Sequence, residues 1–200
     1  MKKILIMAAV LLSSVAASAQ HAVGSVTLQP KVGLNIASLT KSEGADPRFG
    51  LGAGLEFEYQ ATDIFSISAG AMYSMQGNKF SAGTSVFGQN LSGSVTTKLD
   101  YINVPIMANV YVVPGLAVKV GIQPGFLVSS KTKTEVFGQD LGKTEITAKD
   151  VDFSIPVGLS YEFSNVVLDA RYNFGVTKTF DYSDKKNSVF QITLGYKFDL

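Results

Sequence analysis

The segment VFQITLGYKFDL at residues 189–200 is apolar at every second position: Phe190, Ile192, Leu194, Tyr196, Phe198 and Leu200 alternate with Gln191, Thr193, Gly195, Lys197 and Asp199. A period of two puts the two sets on opposite faces of a β-strand. The same alternation recurs between clusters of Gly, Asn, Asp, Ser and Pro. It predicts eight strands at about 26–38, 49–60, 64–76, 98–112, 116–129, 150–163, 166–176 and 188–200, with no helical periodicity between them. The connections alternate as well: 61–63, 113–115 and 164–165 are tight turns, whereas 39–48, 77–97, 130–149 and 177–187 are longer and polar. Short turns at one end and long loops at the other suit an antiparallel up-and-down barrel.

Sorting the strands by face shows which solvent each face meets. One face carries Val32, Leu34, Leu51, Leu55, Ile67, Ile102, Val118, Val120, Leu159, Leu168, Ile192 and Leu194, with no charge through its central span. The other holds Lys31, Asn35, Glu56, Glu58, Asn109, Lys119, Gln123, Asp152, Glu162, Asp169, Arg171 and Lys197, diluted by glycines. A soluble barrel carrying an apolar ligand would turn the first set inward; a membrane barrel turns it toward lipid. The aromatic residues favour lipid. On the apolar face, Phe49, Tyr73, Phe126, Phe153, Phe174 and Phe190 lie near the long loops. Tyr59, Phe65, Tyr161, Phe163, Tyr196 and Phe198 lie near the short turns. Within a strand the rows are about 8 to 10 residues apart, or roughly 20 to 25 Å of height for tilted strands, close to the apolar band of such barrels. Two aromatic belts at that spacing mark the two membrane interfaces. The expectation is therefore an all-β, eight-stranded antiparallel transmembrane β-barrel.

Composition refines this picture. Lys2 and Lys3 precede an apolar run from Ile4 to Val15, and Ala17-Ser18-Ala19 is a small-x-small motif. Residues 1–19 are thus expected to be a signal peptide cleaved before Gln20, with the barrel domain spanning 20–200. The run is too short for a membrane-spanning helix. Without Lys2 and Lys3 the 17 basic residues fall to 15 against 16 acidic, and so balanced a charge gives no reason to expect nucleic acid as a partner. The chain has no cysteine, hence no disulfide, thiolate metal site or lipoprotein anchor. Hydrophobic residues make up 46% and charged residues only 16%, a balance that two-faced strands in a membrane accommodate.

Candidate chemistry is sparse. The one histidine, His21, lies outside the strands, so neither a Ser-His pair like that of the outer-membrane lipid-trimming hydrolases nor a histidine metal site is expected, and no cofactor is implied. Glu56 and Glu58 share a face, as do Asp169 and Arg171. With Lys119 and Lys197 they are expected to interlock as ion pairs that fill the lumen rather than as an acid-base pair, because eight strands leave room only for side chains. Gly50-Leu51-Gly52-Ala53-Gly54 resembles a nucleotide loop but lies inside a strand with no helix after it. Pro105 and Pro156 fall in mid-strand, where bulges are expected.

The segment 84–91, TSVFGQNL, resembles 134–141, TEVFGQDL, 50 residues on, and Ile102-Asn103-Val104-Pro105-Ile106 resembles Phe153-Ser154-Ile155-Pro156-Val157. The repeated unit is one hairpin, whose duplication preserves an even strand count. Phe87 and Phe137 are candidate exposed tips for a partner, and Lys185 and Lys186 candidate contacts for lipopolysaccharide phosphates.

The first strand Lys31-Val32-Gly33-Leu34-Asn35, the segment Asp100-Tyr101-Ile102-Asn103-Val104-Pro105 and the strand Gly121-Ile122-Gln123-Pro124-Gly125 resemble the PorT-like family of outer-membrane β-barrels of Bacteroidota. The final strand, with Thr193, Gly195, Phe198 and Leu200, is similar to the signal read by the barrel-insertion machinery, though it ends on Leu rather than Phe. The resemblance implies an envelope protein with a structural or interaction role in contact with outer-membrane lipids, or an accessory of a secretion system. It implies no enzymatic activity. Cell fractionation should place the protein in the outer membrane, and detergent-solubilised samples should migrate differently on gels before and after heating. A soluble periplasmic protein with no shift would invert the two faces.

Overall fold

The structure is a computed structural model describing residues 21–40, 42, 44–86, 89–136, 139–180 and 184–200, without the side chains of 82–92, 135–141 and 143. The expected signal peptide, Phe87 and Phe137 lie outside the described residues.

Among the described residues, eleven β segments form one antiparallel sheet: β1 (Val26–Leu39), β2 (Ala45–Thr62), β3 (Phe65–Val86), β4 (Gln89–Asn103), β5 (Ile106–Val113), β6 (Leu116–Val136), β7 (Gln139–Glu145), β8 (Val151–Phe163), β9 (Val166–Gly175), β10 (Asn187–Tyr196) and β11 (Phe198–Asp199). They make a ring of eight staves, because β4 with β5 and β10 with β11 are each one interrupted strand, and β7 pairs only with β6. β1 pairs with β2 on one side and β10 on the other, so the sheet closes. The turns obey local chemistry. Ser164 and Asn165, both at positive φ, join β8 to β9 in two residues, and Pro114-Gly115 joins β5 to β6 with the glycine at φ 78°.

The register sets the barrel's width. Paired residues run round the ring from Val26 through Tyr59, Ile67, Ala108, Val120, Val157, Tyr172 and Phe190 back to β1 at Ile36. The circuit returns ten residues further along β1, which is the shear of the barrel. A climb of about 33 Å over a circumference of about 38 Å tilts the strands by about 40°.

The faces divide as the alternation predicts. Leu194 is 54% exposed, and Val32, Leu34, Leu51, Leu159 and Leu168 likewise point outward. Phe49, Tyr59, Phe126, Phe163, Phe174, Tyr196 and Phe198 face the same way. Inside, Lys31, Asn35, Glu56, Asn109, Lys119, Asp169, Arg171 and Thr193 are buried. A polar, occupied interior overturns the alternative of a soluble barrel holding an apolar ligand.

Two expectations are corrected. The prolines do not create bulges. From Met72↔Asn103 to Ala69↔Ile106 both strands advance three residues, so Val104-Pro105 interrupts the ladder without inserting anything. Pro156 pairs with Asn173 in continuous register. Proline removes one donor but its fixed φ suits a strand, so the neighbouring strand loses a bond and keeps its step. The register shifts among the described residues occur instead at Pro47/Gly52, Gln60/Thr62, Asp100/Tyr101, Tyr111/Val113 and Lys133/Glu135. The long connections 77–97 and 130–149 are also mostly strand: β3, β4, β6 and β7 continue as paired, polar arms. Their Ser, Thr, Lys and Gly residues carry no apolar stripe, because both faces of the arms meet water, and so alternation does not reveal them.

Leu194→Arg, at mid-height on the lipid face, should cost roughly 2 to 4 kcal/mol in equilibrium unfolding from lipid vesicles, whereas Thr193→Ser, on the inner face, should be mild. Equal costs would undo the assignment of faces.

Candidate functional site

The interior is built from side chains alternating inward on every stave. At mid-height Glu56 of β2 meets three cations: Lys31 of β1 at hydrogen-bonding distance, Lys119 of β6 at 3.0 Å and Arg171 of β9 at 3.5 Å. Asp169 accepts a forked pair of bonds from Arg171, Nε at 2.8 Å and Nη2 at 2.5 Å, and a third from Lys119 at 3.1 Å. Ser68 donates to Glu56 at 3.0 Å, and Asn109 donates to Ser66 and Ser68. Arg171 is 1% exposed. Its length is accommodated because β8 offers Gly158 opposite, where a Cβ would lie 2.7 Å from the Arg171 Cβ. A glycine facing a long side chain fills the interior without overlap.

Toward the short turns, Lys197 bridges Glu58 at 3.0 Å and Glu162 at 2.8 Å and donates to the Tyr111 hydroxyl at 3.3 Å. His21 joins this group through Glu162 at 3.0 Å and Asp199 at 2.6 Å. Toward the long loops, Gln191 donates to Asn35 at 2.8 Å, and Asn35 to Ser74 at 3.0 Å. Above them Leu39, Leu99, Tyr101, Ala148 and Phe180 form a small apolar cluster, closed over by Leu127 and Ile146. From the short turns upward the lumen is thus occupied by charge, then amide, then hydrocarbon.

The structure brings Glu56, Lys119, Asp169 and Arg171 into one cluster and Glu58 and Lys197 into a second beneath it. The remaining candidates are scattered. Lys185 and Lys186 lie at the outer rim, where the Lys185 carbonyl accepts from Thr179 N at 2.8 Å and the Lys186 carbonyl from Thr40 N at 2.9 Å. Thr193 and Gly195 face inward, while Phe198 and Leu200 face out. No group able to hold a metal ion occurs among the described residues. The Gly50–Gly54 stretch sits inside β2, and a Cβ at Gly54 would lie 2.2 Å from the Ala71 carbonyl oxygen. These glycines let strands approach; they do not cradle phosphate.

Sequence reasoning missed two features. Tyr111 shares the inward parity of Asn109 and was legible from alternation. A half-buried cluster of Arg48, Asp100 and Tyr73 at the outer rim was not, since it depends on the register shifts: Arg48 reaches the Gln76 carbonyl and Asp100 at 3.5 Å, and Tyr73 donates to Asp100 at 3.0 Å.

The sequence profile described as outer membrane protein beta-barrel domain matches residues 18–181. No curated protein matches the chain. Among solved structures, Neisserial surface protein A aligns with a TM-score of 0.50 at 14% identity, covering 86% of this chain and 97% of that one. Ail, the attachment invasion locus protein of Yersinia pestis, aligns at 0.48 with 16% identity over 88% of this chain and all of its own. The N-terminal β-barrel domain of Pseudomonas aeruginosa OprF aligns at 0.39 with 12% identity, over 89% of this chain and 100% of that one. Identities this low speak to fold alone.

Glu56→Gln removes one of the two acids that face Lys31, Lys119 and Arg171. Stranding buried cations in this way should cost about 3–5 kcal/mol in unfolding from vesicles. Lys131→Gln, at an exposed position of the polar arms, should change stability by less than about 0.5 kcal/mol.

Proposed function

The chain belongs to the outer membrane protein β-barrel domain family, and from that premise we propose that it is a non-enzymatic envelope barrel, closed to solutes, that acts through the sheet it carries beyond the membrane. One observation carries the reading. β3, β4, β6 and β7 continue past the aromatic belt as a four-stranded sheet, with β4 paired to β6 as far as Gly93↔Val136. The duplicated hairpins are therefore neighbours in one sheet. Among the described residues β7 pairs with β6 alone and the pairing of β3 with β2 reaches no further than Phe80, so the described sheet has two open edges beyond the membrane. Unpaired strand edges are templates for another chain, and backbone pairing along them is a recurring mode of recognition.

The filled interior supports the remainder. Charged and amide side chains occupy mid-height and an apolar cluster occupies the outer mouth, so no continuous water path suits a solute. Glu162, not a nucleophile, occupies the Nε2 side of His21, which disfavours hydrolytic chemistry. Within the family we assign the chain to the PorT-like barrels of Bacteroidota on the segments 100–105 and 121–125. Outer-membrane lipids, with lipopolysaccharide at the Lys185–Lys186 rim, and the insertion machinery at the final strand complete the proposed set of partners.

Replacing 81–94 and 132–145 by short turns tests the reading in a strain lacking the native gene. The trimmed barrel should fold, show the heat-dependent gel shift and fail to restore the envelope phenotype that the full chain restores. Full restoration by the trimmed barrel would assign the role to the barrel body, and stepwise single-channel currents in planar bilayers would contradict a closed lumen.

A further inference from the structure

The N-terminal segment lies at the short-turn end of the barrel. Gly24 N donates to the Gln60 carbonyl at 2.8 Å and Gln60 N to the Ser25 carbonyl at 3.0 Å, which fixes this segment to the end of β2. His21 then reaches Glu162 on β8. In the ring order β2 and β8 stand four staves apart whichever way the ring is followed, so through Glu162 the imidazole ties the segment to a side chain from the opposite wall. Among the described residues its far end is held through the imidazole, with Nε2 3.0 Å from Glu162 Oε1 and Nδ1 2.6 Å from Asp199 Oδ1. The ring is largely enclosed, its side chain 12% exposed.

Both ring nitrogens thus face carboxylate oxygens. Ionised carboxylates only accept, so both contacts are hydrogen bonds only when both nitrogens carry protons, that is, for imidazolium. A neutral ring would turn one lone pair toward a carboxylate. We propose that His21 is a pH-operated latch across the periplasmic mouth, holding the N-terminal segment over the lumen when charged and releasing it when neutral. The inference rests on reading the short-turn end as periplasmic, as in outer-membrane barrels generally.

The groups facing the ring come from several elements. Glu162 approaches from β8, Asp199 from β11, and Glu58 and Gln60 from β2. Thr27 lies on β1, Ser25 precedes it, and Lys197, between β10 and β11, shares Glu162 with His21. Among these side-chain types only imidazole ordinarily titrates near neutrality. The bond to Glu162 raises the His21 pKa above 6.5, against burial, which lowers it. A folded-state pKa raised above the unfolded one means that the latch contributes fully below 6.5 and is lost as the pH rises through the folded value. Release would expose Glu58 and Lys197 to water, while the β11 end stays tied by its pairing with β1 and by Leu200 N to the Val26 carbonyl at 3.0 Å.

Purified full-length protein in detergent micelles provides the test, by NMR titration of the imidazole and amide hydrogen exchange at Gly24 and Gln60. The midpoint should lie above 6.5, and protection, corrected for intrinsic exchange, should be about tenfold weaker at about pH 8.5 than at about pH 5.5. His21→Gln should show the weak protection at both pH values while mid-strand amides stay protected, which reports an intact barrel. A wild-type protection independent of pH, or a Gln variant as protected as wild type at the lower pH, would overturn the latch. Because the readout is local, it stands or falls independently of what the outer sheet contacts.

Discussion

Hydrocarbon offers no hydrogen bonds, and the whole structure follows from that. Every backbone N–H and C=O within the bilayer must find a partner in the chain, which for strands requires a ring with no edge. Here β1 and β10 close that ring, and the break at Pro30 near the seam is spanned by the short β11, whose Phe198 pairs with Leu28. The lipid face can then be uniformly apolar because nothing on it needs a polar partner except at the rims. There Arg48, Asp100 and Tyr73 satisfy one another where β2 and β3 slip out of step.

Closure with eight strands leaves a narrow interior, and narrowness dictates its chemistry. Inward positions on neighbouring staves are close enough to touch, so charges placed there must be paired. Glu56 answers three cations at once, and glycines at 54 and 158 leave room for the long side chains beside them. Each carboxylate of this network is already engaged, which supports the closed, non-enzymatic barrel proposed above.

Much of this was legible in the sequence because both solvents leave a period-two mark on the chain. Val32, Leu34 and Leu194 differ from Lys31, Asn35 and Thr193 in type, and type alone assigns them to lipid or lumen. The aromatic rows at Phe49 and Tyr59 give the height of the membrane in the same way. The arms of β3, β4, β6 and β7 left no such mark, since water bathes both of their faces, and they read as loops. His21 was legible only as a residue unsuited to catalysis. Its carboxylate partners, Glu162 and Asp199, lie 141 and 178 residues away, beyond the reach of any local pattern.

The sequence by itself determined the strands, their two faces, the count of eight and the polar character of the interior, because each follows from which solvent a side chain tolerates. Only the tertiary structure decided the register. The ten-residue shear, the pairing of Glu56 with Lys31, Lys119 and Arg171, the slip that lets Arg48 reach Asp100 and the meeting of His21 with Glu162 and Asp199 all depend on how far each strand is shifted along its neighbour. A shift by two residues preserves every face while changing every contact, so alternation cannot choose among such shifts. Closing the ring and packing its interior can.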